Sequence, residues 1–390
     1  MNRSFRWLLP LVLLMCFPLF AGSSALAQTN FTSTAVVAYG RSITFQLEGA
    51  VAEPVTRVDL FLQVEGAERP SSIQVIRVSQ TGSQLAATVD VDPLVAALPP
   101  FATVRFWWEL QTAGQIITVP EATFFYEDDR FVWRELTAGD VVVHWTGNDA
   151  ALGQAAADIV AQSRATLDGI LPPTAVSPLN VYIYPSTGDL RSGLRLAGRD
   201  WQDGHTDPDL GVLLVTAVNP LTAAAELSQS IPHELTHLRL HRLAAGSALP
   251  FWYEEGLARL AEGSPRGEGV LATAVANDTT LPLLNLCVAF PEDADGVELA
   301  LAQSVSLLAY IRGQFGDQAL RQLATAYLDG ASCETGLTET LDMSLAQLNV
   351  DWLGDVAPQP AWQTFLTENG LWLLLVLASF GFMALLIFRN

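Results

Sequence analysis

The spacing of apolar residues changes partway along this chain, and that change restricts the folds open to it. From residue 31 to about 129, the short segments 42–47, 57–64, 74–78, 86–91, 103–110 and 115–119 alternate apolar with polar residues. Gly, Pro and Ser separate them at the intervals of antiparallel strands, so this part predicts a β-sandwich of roughly one hundred residues. The acidic patch Glu127-Asp128-Asp129 marks a boundary. A strand pair at 131–133 and 141–145, a helical stretch at about 149–171, and strands at 179–184 and 211–218 follow it. From Thr222 onward the periodicity is almost wholly helical. A small sheet followed by a helical half is an α+β arrangement.

Two apolar blocks stand apart from this body. Residues 1–27 carry Arg3 and Arg6, then the run 7–20, then Ala25-Leu26-Ala27, which are the three regions of a secretory signal peptide cleaved before Gln28. Pro10 and Pro18 interrupt that run, which is short for a membrane span. The run 371–388 has no charged residue and lies between Glu368 and Arg389, the length expected of a helix crossing a bilayer of roughly 30 Å. Trp362 and Trp372 lie toward its outer end, and Arg389 is the cation on its far side. These features predict a single-pass cell-membrane protein whose N-terminal bulk faces outward and which meets the lipid bilayer through a transmembrane helix at 370–388. The expected organisation is a signal peptide at 1–27, a sandwich at 28–129, a second domain at 130–355 and a linker at 356–369 before that helix.

Composition excludes some partners. With 20 basic and 41 acidic residues the formal charge is -21, and every basic residue is Arg. Loss of Arg3 and Arg6 with the signal peptide makes it -21 minus 2, or -23. A chain this acidic is not expected to bind nucleic-acid phosphates or an anionic membrane surface. Cys287 and Cys333 remain after that cleavage. As an even pair outside the cytoplasm they form one disulfide or stay as two buried thiols, and the sequence leaves both open. The sandwich segment has no His, no Cys and no calcium-loop spacing, so it reads as an accessory domain.

Histidine is scarce and concentrated. Three of the five histidines fall within Ile231-Pro232-His233-Glu234-Leu235-Thr236-His237-Leu238-Arg239-Leu240-His241. On a helix, His233 and His237 project from one face toward one metal ion, with Glu234 beside them. A zinc site needs a third protein ligand and an open fourth position. Gly246 ends the helix, and the chain returns with Phe251-Trp252-Tyr253-Glu254-Glu255-Gly256-Leu257-Ala258.

These two segments resemble the gluzincin metallopeptidases, and most closely the peptidase MA-like domains of bacteria. The likeness runs loosely over residues 131–355, taking in Tyr184-Pro185-Ser186 and the stretch 303–310. It implies a gluzincin-type domain at 130–355, a small sheet plus a helical half carrying the H-E-x-x-H helix. It also implies one Zn2+ ion on His233, His237 and Glu255, with Glu234 as the catalytic base activating a zinc-bound water. Glu254 then falls as a solvent-facing neighbour, and is the alternative third ligand. Where the family has a Tyr two residues before Gln-Ser, this chain has Leu301. His205, in the loop 203–208, and Tyr310 are the candidate transition-state stabilisers, with Tyr253 a further donor. His241 has rotated about 40° and risen about 6 Å from His237, and is expected to pack beneath the site or cap the helix. His144, in a strand, is expected to be structural. The strand at 212–218 is expected to be an edge to which an extended peptide adds.

The function this implies is a membrane-anchored extracytoplasmic zinc metallopeptidase acting on a peptide or protein substrate. The alternative is a catalytically weak or inactive metal-containing surface protein that binds or scaffolds through its sandwich. The sequence does not distinguish endopeptidase from exopeptidase.

Overall fold

A computed structural model describes residues 31–174, 178–194, 204–263, 267–357 and 361–388, without the side chains of 361–364, 367 and 380–388. The signal peptide read at 1–27 lies outside the described residues.

Nine strands form the first part: β1 (Thr32–Ala38), β2 (Ser42–Ala50), β3 (Val55–Val64), β4 (Ser71–Gln74), β5 (Arg77–Thr81), β6 (Gln84–Val91), β7 (Thr103–Thr112), β8 (Ile116–Thr118) and β9 (Ala122–Phe125). They make two antiparallel sheets, β1-β2-β6-β5 and β4-β3-β7-β8, with β9 also on β7. Alternation decides which side chains are inside. Along β7, Val104, Phe106, Trp108 and Leu110 are buried and meet Phe45, Leu47, Leu60 and Leu62 in one core. The run expected as a single strand at 74–78 is two. Val75 is buried and Ile76 is 88% exposed, and across this pair the chain passes from β4 in one sheet to β5 in the other.

The second part opens with the hairpin β10 (Arg134–Ala138) and β11 (Val141–Trp145), then α1 (Ala150–Leu167), β12 (Leu179–Tyr184), α2 (Thr187–Gly193), β13 (His205–Asp207) and β14 (Val212–Thr216). The sheet order is β10-β11-β12-β14-β13, with β11, β12 and β14 parallel. Two expectations are corrected. Residues 131–133 precede the first strand, and Phe131 and Trp133 pack with Tyr182 and Tyr184 instead. Nor is the strand at 212–218 an edge: β14 is covered by β13, where His205, Thr206 and Asp207 pair with Leu214, Leu213 and Val212.

The two parts meet at the acidic patch. Asp128 is fully buried, and a charge there must be paired. Asp128 Oδ2 accepts from Arg130 Nη2 at 2.6 Å and from the Tyr184 hydroxyl at 3.0 Å, while the Tyr39 hydroxyl of the sandwich donates to the Gly193 carbonyl.

The helical half contains α3 (Ala223–Ala244), α4 (Phe251–Ala261), α5 (Glu268–Ala276), α6 (Leu283–Leu286), α7 (Ala294–Leu328, broken at Gly316), α8 (Cys333–Leu341) and α9 (Leu345–Val356). Their apolar faces share one core with the sheet, including Leu227, Trp252, Leu307, Tyr327 and Trp352. Cys287, after α6, is bonded to Cys333, which opens α8.

The last helix, α10 (Ala361–Phe388), starts inside the expected linker. Among the described residues no helix is long and apolar enough to cross a membrane. This overturns the transmembrane helix at 370–388, the lipid-bilayer contact through it and the single-pass placement in the cell membrane.

Candidate metal centre

The long helix α3 carries the histidine segment and ends where Ala245 (φ 47) and Gly246 (φ 92) turn left-handed. The chain then reverses into α4, which lies against both α3 and α7. Residues 233 and 237 of α3 face residues 254 and 255 of α4.

Three atoms converge. His233 Nε2 and His237 Nε2 are 3.2 Å apart, and Glu255 Oε2 lies 3.8 Å from each. The outer nitrogen of each ring is held by a carboxylate: His233 Nδ1 donates to Glu262 at 2.8 Å and His237 Nδ1 to Glu254 at 2.9 Å. With both Nδ1 atoms held by carboxylates, the two Nε2 atoms are the ring nitrogens left to face a shared cation. A tetrahedral ion bound at 2.0–2.2 Å needs ligand atoms about 3.3–3.6 Å apart, so the donor set fits zinc. Of the described residues, His233, His237 and Glu255 form one group able to hold a metal ion.

The surrounding charge points the same way. Burial alone would lower the His237 ring, but the carboxylates of Glu255, Glu254 and Glu234 outweigh it and push it up to about 9. Burial would likewise raise the Glu254 carboxyl, yet hydrogen bonds from His237 and His241 hold it well below the usual carboxylate range. So many buried acids around two imidazoles make a site that draws positive charge.

Other expected residues divide. Glu254 is not solvent-facing: its carboxylate sits behind His237 and also accepts from His241 Nε2 at 2.8 Å. His241 is thus neither beneath the site nor a cap, and braces Glu254 from the exposed side. His205 is on edge strand β13 rather than in a loop. Burial lowers its ring, against the opposing charges of Glu234 and Asp207. Tyr310 is not brought to the centre; its hydroxyl is raised by slight burial and by the charges of Asp351 and Asp355 on α9. Tyr253 is buried and donates to the Leu320 carbonyl. Leu301 is part of the apolar core. His144 stacks on Tyr182 at 4.1 Å and bonds Asn180, a packing role.

Three participants escaped the sequence reading. Glu262 falls seven residues after Glu255 on the same helix face, a spacing that offered a signal. Thr206 on β13 and Gly204 just before it touch Glu234, and no pattern in the sequence pairs positions so far apart.

The sequence model of the Peptidase MA superfamily matches residues 159–357, from within α1 to the end of α9. No curated protein matches the chain. Among solved structures, the crystal structure of the Br derivative of BhCBM56 is similar at 13% identity, over 24% of this chain and 90% of that one, with a TM-score of 0.18. The GH family 64 laminaripentaose-producing β-1,3-glucanase from Paenibacillus barengoltzii is similar in two structures. Complexed with laminarihexaose it shows 12% identity over 30% of this chain and 27% of that one, TM-score 0.18. A second structure shows 14% identity over 31% and 28%, TM-score 0.17. This chain therefore spans less than a third of the glucanase. TM-scores this low carry no argument about fold or function.

Proposed function

Because the chain belongs to the Peptidase MA superfamily, we propose that it is a zinc-dependent metallopeptidase that hydrolyses peptide bonds. The observation that carries this reading is the convergence of His233 Nε2, His237 Nε2 and Glu255 Oε2 beside a buried Glu234. His233, His237 and Glu255 would hold the ion. Bound zinc would supply a Lewis acid that lowers the pKa of water toward ~7 and polarises a peptide carbonyl.

The chain's own residues do the rest. Glu234, one position along α3 from His233, takes the proton of the attacking water and returns it to the departing amine. Glu262 and Glu254 fix the two rings so that their Nε2 atoms stay aimed at the centre. The side of β13 that no described strand pairs, at the end of the sheet and beside α3, is the place for an extended peptide to pair by its backbone. His205, on that strand, is the group offered to developing negative charge on the substrate oxygen. The Cys287–Cys333 bond is the state expected in an oxidising compartment, which supports action outside the cytoplasm.

The test is zinc content and hydrolysis of a quenched fluorescent peptide mixture by the full chain and by Glu234→Gln. Chelator-sensitive cleavage by the wild type, lost in the variant at equal bound zinc, is the expected result. Equal zinc with no cleavage by either form would overturn the peptidase reading in favour of a binding or scaffold protein.

A further inference from the structure

Glu234 is gripped from the edge of the sheet. The Thr206 hydroxyl on β13 lies 2.7 Å from Glu234 Oε2 and 2.9 Å from the Glu234 carbonyl oxygen. It has one proton to give, and the nearer, charged carboxylate is the stronger acceptor. Two residues earlier, Gly204 abuts the other oxygen: a Cβ there would fall 2.3 Å from Oε1 and 2.8 Å from the carboxyl carbon. A side chain at position 204 would therefore press directly on the Glu234 carboxylate.

A free glutamate side chain has three rotatable bonds and sweeps a wide volume. A proton shuttle that must meet first a water and then an amine gains from losing that freedom before the reaction. Here residues 204 and 206 remove it in two ways. Thr206 ties Oε2, and the bare Cα of Gly204 leaves a notch that Oε1 fills.

We propose that Thr206 and Gly204 are positioning residues for Glu234, fixing one carboxylate oxygen by a charge-assisted hydrogen bond so that the other is presented to the reacting water. This rests on the peptidase reading above. It adds that the strand offered to the substrate backbone also sets the base.

The experiment compares the wild type with Thr206→Val, which keeps the shape and loses the hydroxyl, and Thr206→Ser, which restores it. Steady-state cleavage of the quenched peptide mixture is read together with zinc content. The expected result for Thr206→Val is a kcat lower by about 10- to 100-fold, the loss of one hydrogen bond to a charged group, at unchanged KM and zinc content. Thr206→Ser should recover most of it. An unchanged kcat in Thr206→Val overturns the inference, as does a Thr206→Ser variant no better than Thr206→Val. A second readout needs no turnover. Thr206→Val should lower the melting temperature of the wild type more than that of Glu234→Leu, where no carboxylate is left to hold. Equal shifts in both backgrounds would refute the grip. Were the wild type itself inert toward peptides, the peptidase reading would fall, while this cycle would still decide whether Thr206 holds Glu234.

Discussion

Gly256 of α4 lies so close to α7 that a Cβ on it would fall 2.7 Å from the Ser304 carbonyl oxygen and 3.0 Å from Leu308 Cδ1. The glycine following Glu255 is therefore what lets α4 press against α7, and that contact sets how far Glu255 extends toward the histidines. Gly256→Ala must push the helices apart. Overpacking of this kind typically costs about 1–3 kcal/mol. Thermal melting should show that loss, and zinc titration should show weakened binding. A variant with wild-type zinc affinity would separate the helix contact from the ligand.

Glu255, Glu254 and Glu262 should differ in kind. Glu255→Gln should weaken zinc binding most, because it replaces the anionic carboxylate that faces both rings by a neutral amide. Glu254→Gln and Glu262→Gln, which disturb only the carboxylates behind His237 and His233, should weaken it by about 10- to 100-fold. Competition with a chromophoric chelator ranks them. If Glu254→Gln proved the worst, the roles of Glu254 and Glu255 would have to be exchanged.

Removing the metal is a test of stability as well as activity. Four buried or nearly buried carboxylates, from Glu234, Glu254, Glu255 and Glu262, surround two imidazoles. A cation relieves their repulsion and binds only the folded chain, so saturating zinc should raise the melting temperature. Chelation should reverse the shift, and Glu255→Gln should reduce it. Calorimetry with and without chelator measures this, and an identical transition in both would count against a metal at this place.

Acid should destabilise the fold through His144. Burial lowers its folded pKa, against smaller raising effects of Asn180 and Glu135. The unfolded chain therefore binds a proton near the ordinary value of about 6.5 while the folded chain does not. Its stabilising contribution is present above that value and is lost as pH falls through it toward the lower folded pKa. His144→Phe keeps a ring to stack on Tyr182 and cannot titrate. Its melting temperature should fall less than that of the wild type between about pH 7 and about pH 5.

The bond between Cys287 and Cys333 closes a sequence separation of 46 residues, and Trp252 Nε1 of α4 donates to Cys333 Sγ at 3.1 Å. Chain entropy puts the stabilisation at about 4 kcal/mol. Melting with and without reductant should reveal a loss of that order. The paired Cys287→Ser and Cys333→Ser substitutions should reproduce it and make the reductant ineffective.

The readable parts of this protein were those where one short stretch contains the whole physical cause. Alternation at 103–110 places Trp108 in the sandwich core because a strand's period is two. The four-residue step from His233 to His237 lines up two rings because a helix turns every 3.6 residues. Residues 74–78 misled because two adjacent apolar residues, Val75 and Ile76, have the look of one strand while the chain changes sheets between them. The three residues of β13 were read as a loop because Gly204 and Pro208 bracket them, and a strand that short exists only through its pairing with β14.

By itself, the sequence determined the two-part order of strands and helices, the histidine face of α3 and the return of a Glu-Gly segment on α4, since each follows from local periodicity and backbone sterics. Tertiary structure alone decided that Glu254 braces His237 while Glu255 faces both rings, that Glu262 stands behind His233, and that Thr206 and Gly204 close on Glu234. The physical reason is range. Adjacent glutamates have nearly the same local propensities and differ only in what the other helices and the sheet edge bring within 3 or 4 Å, a distance set by packing between segments far apart in the chain.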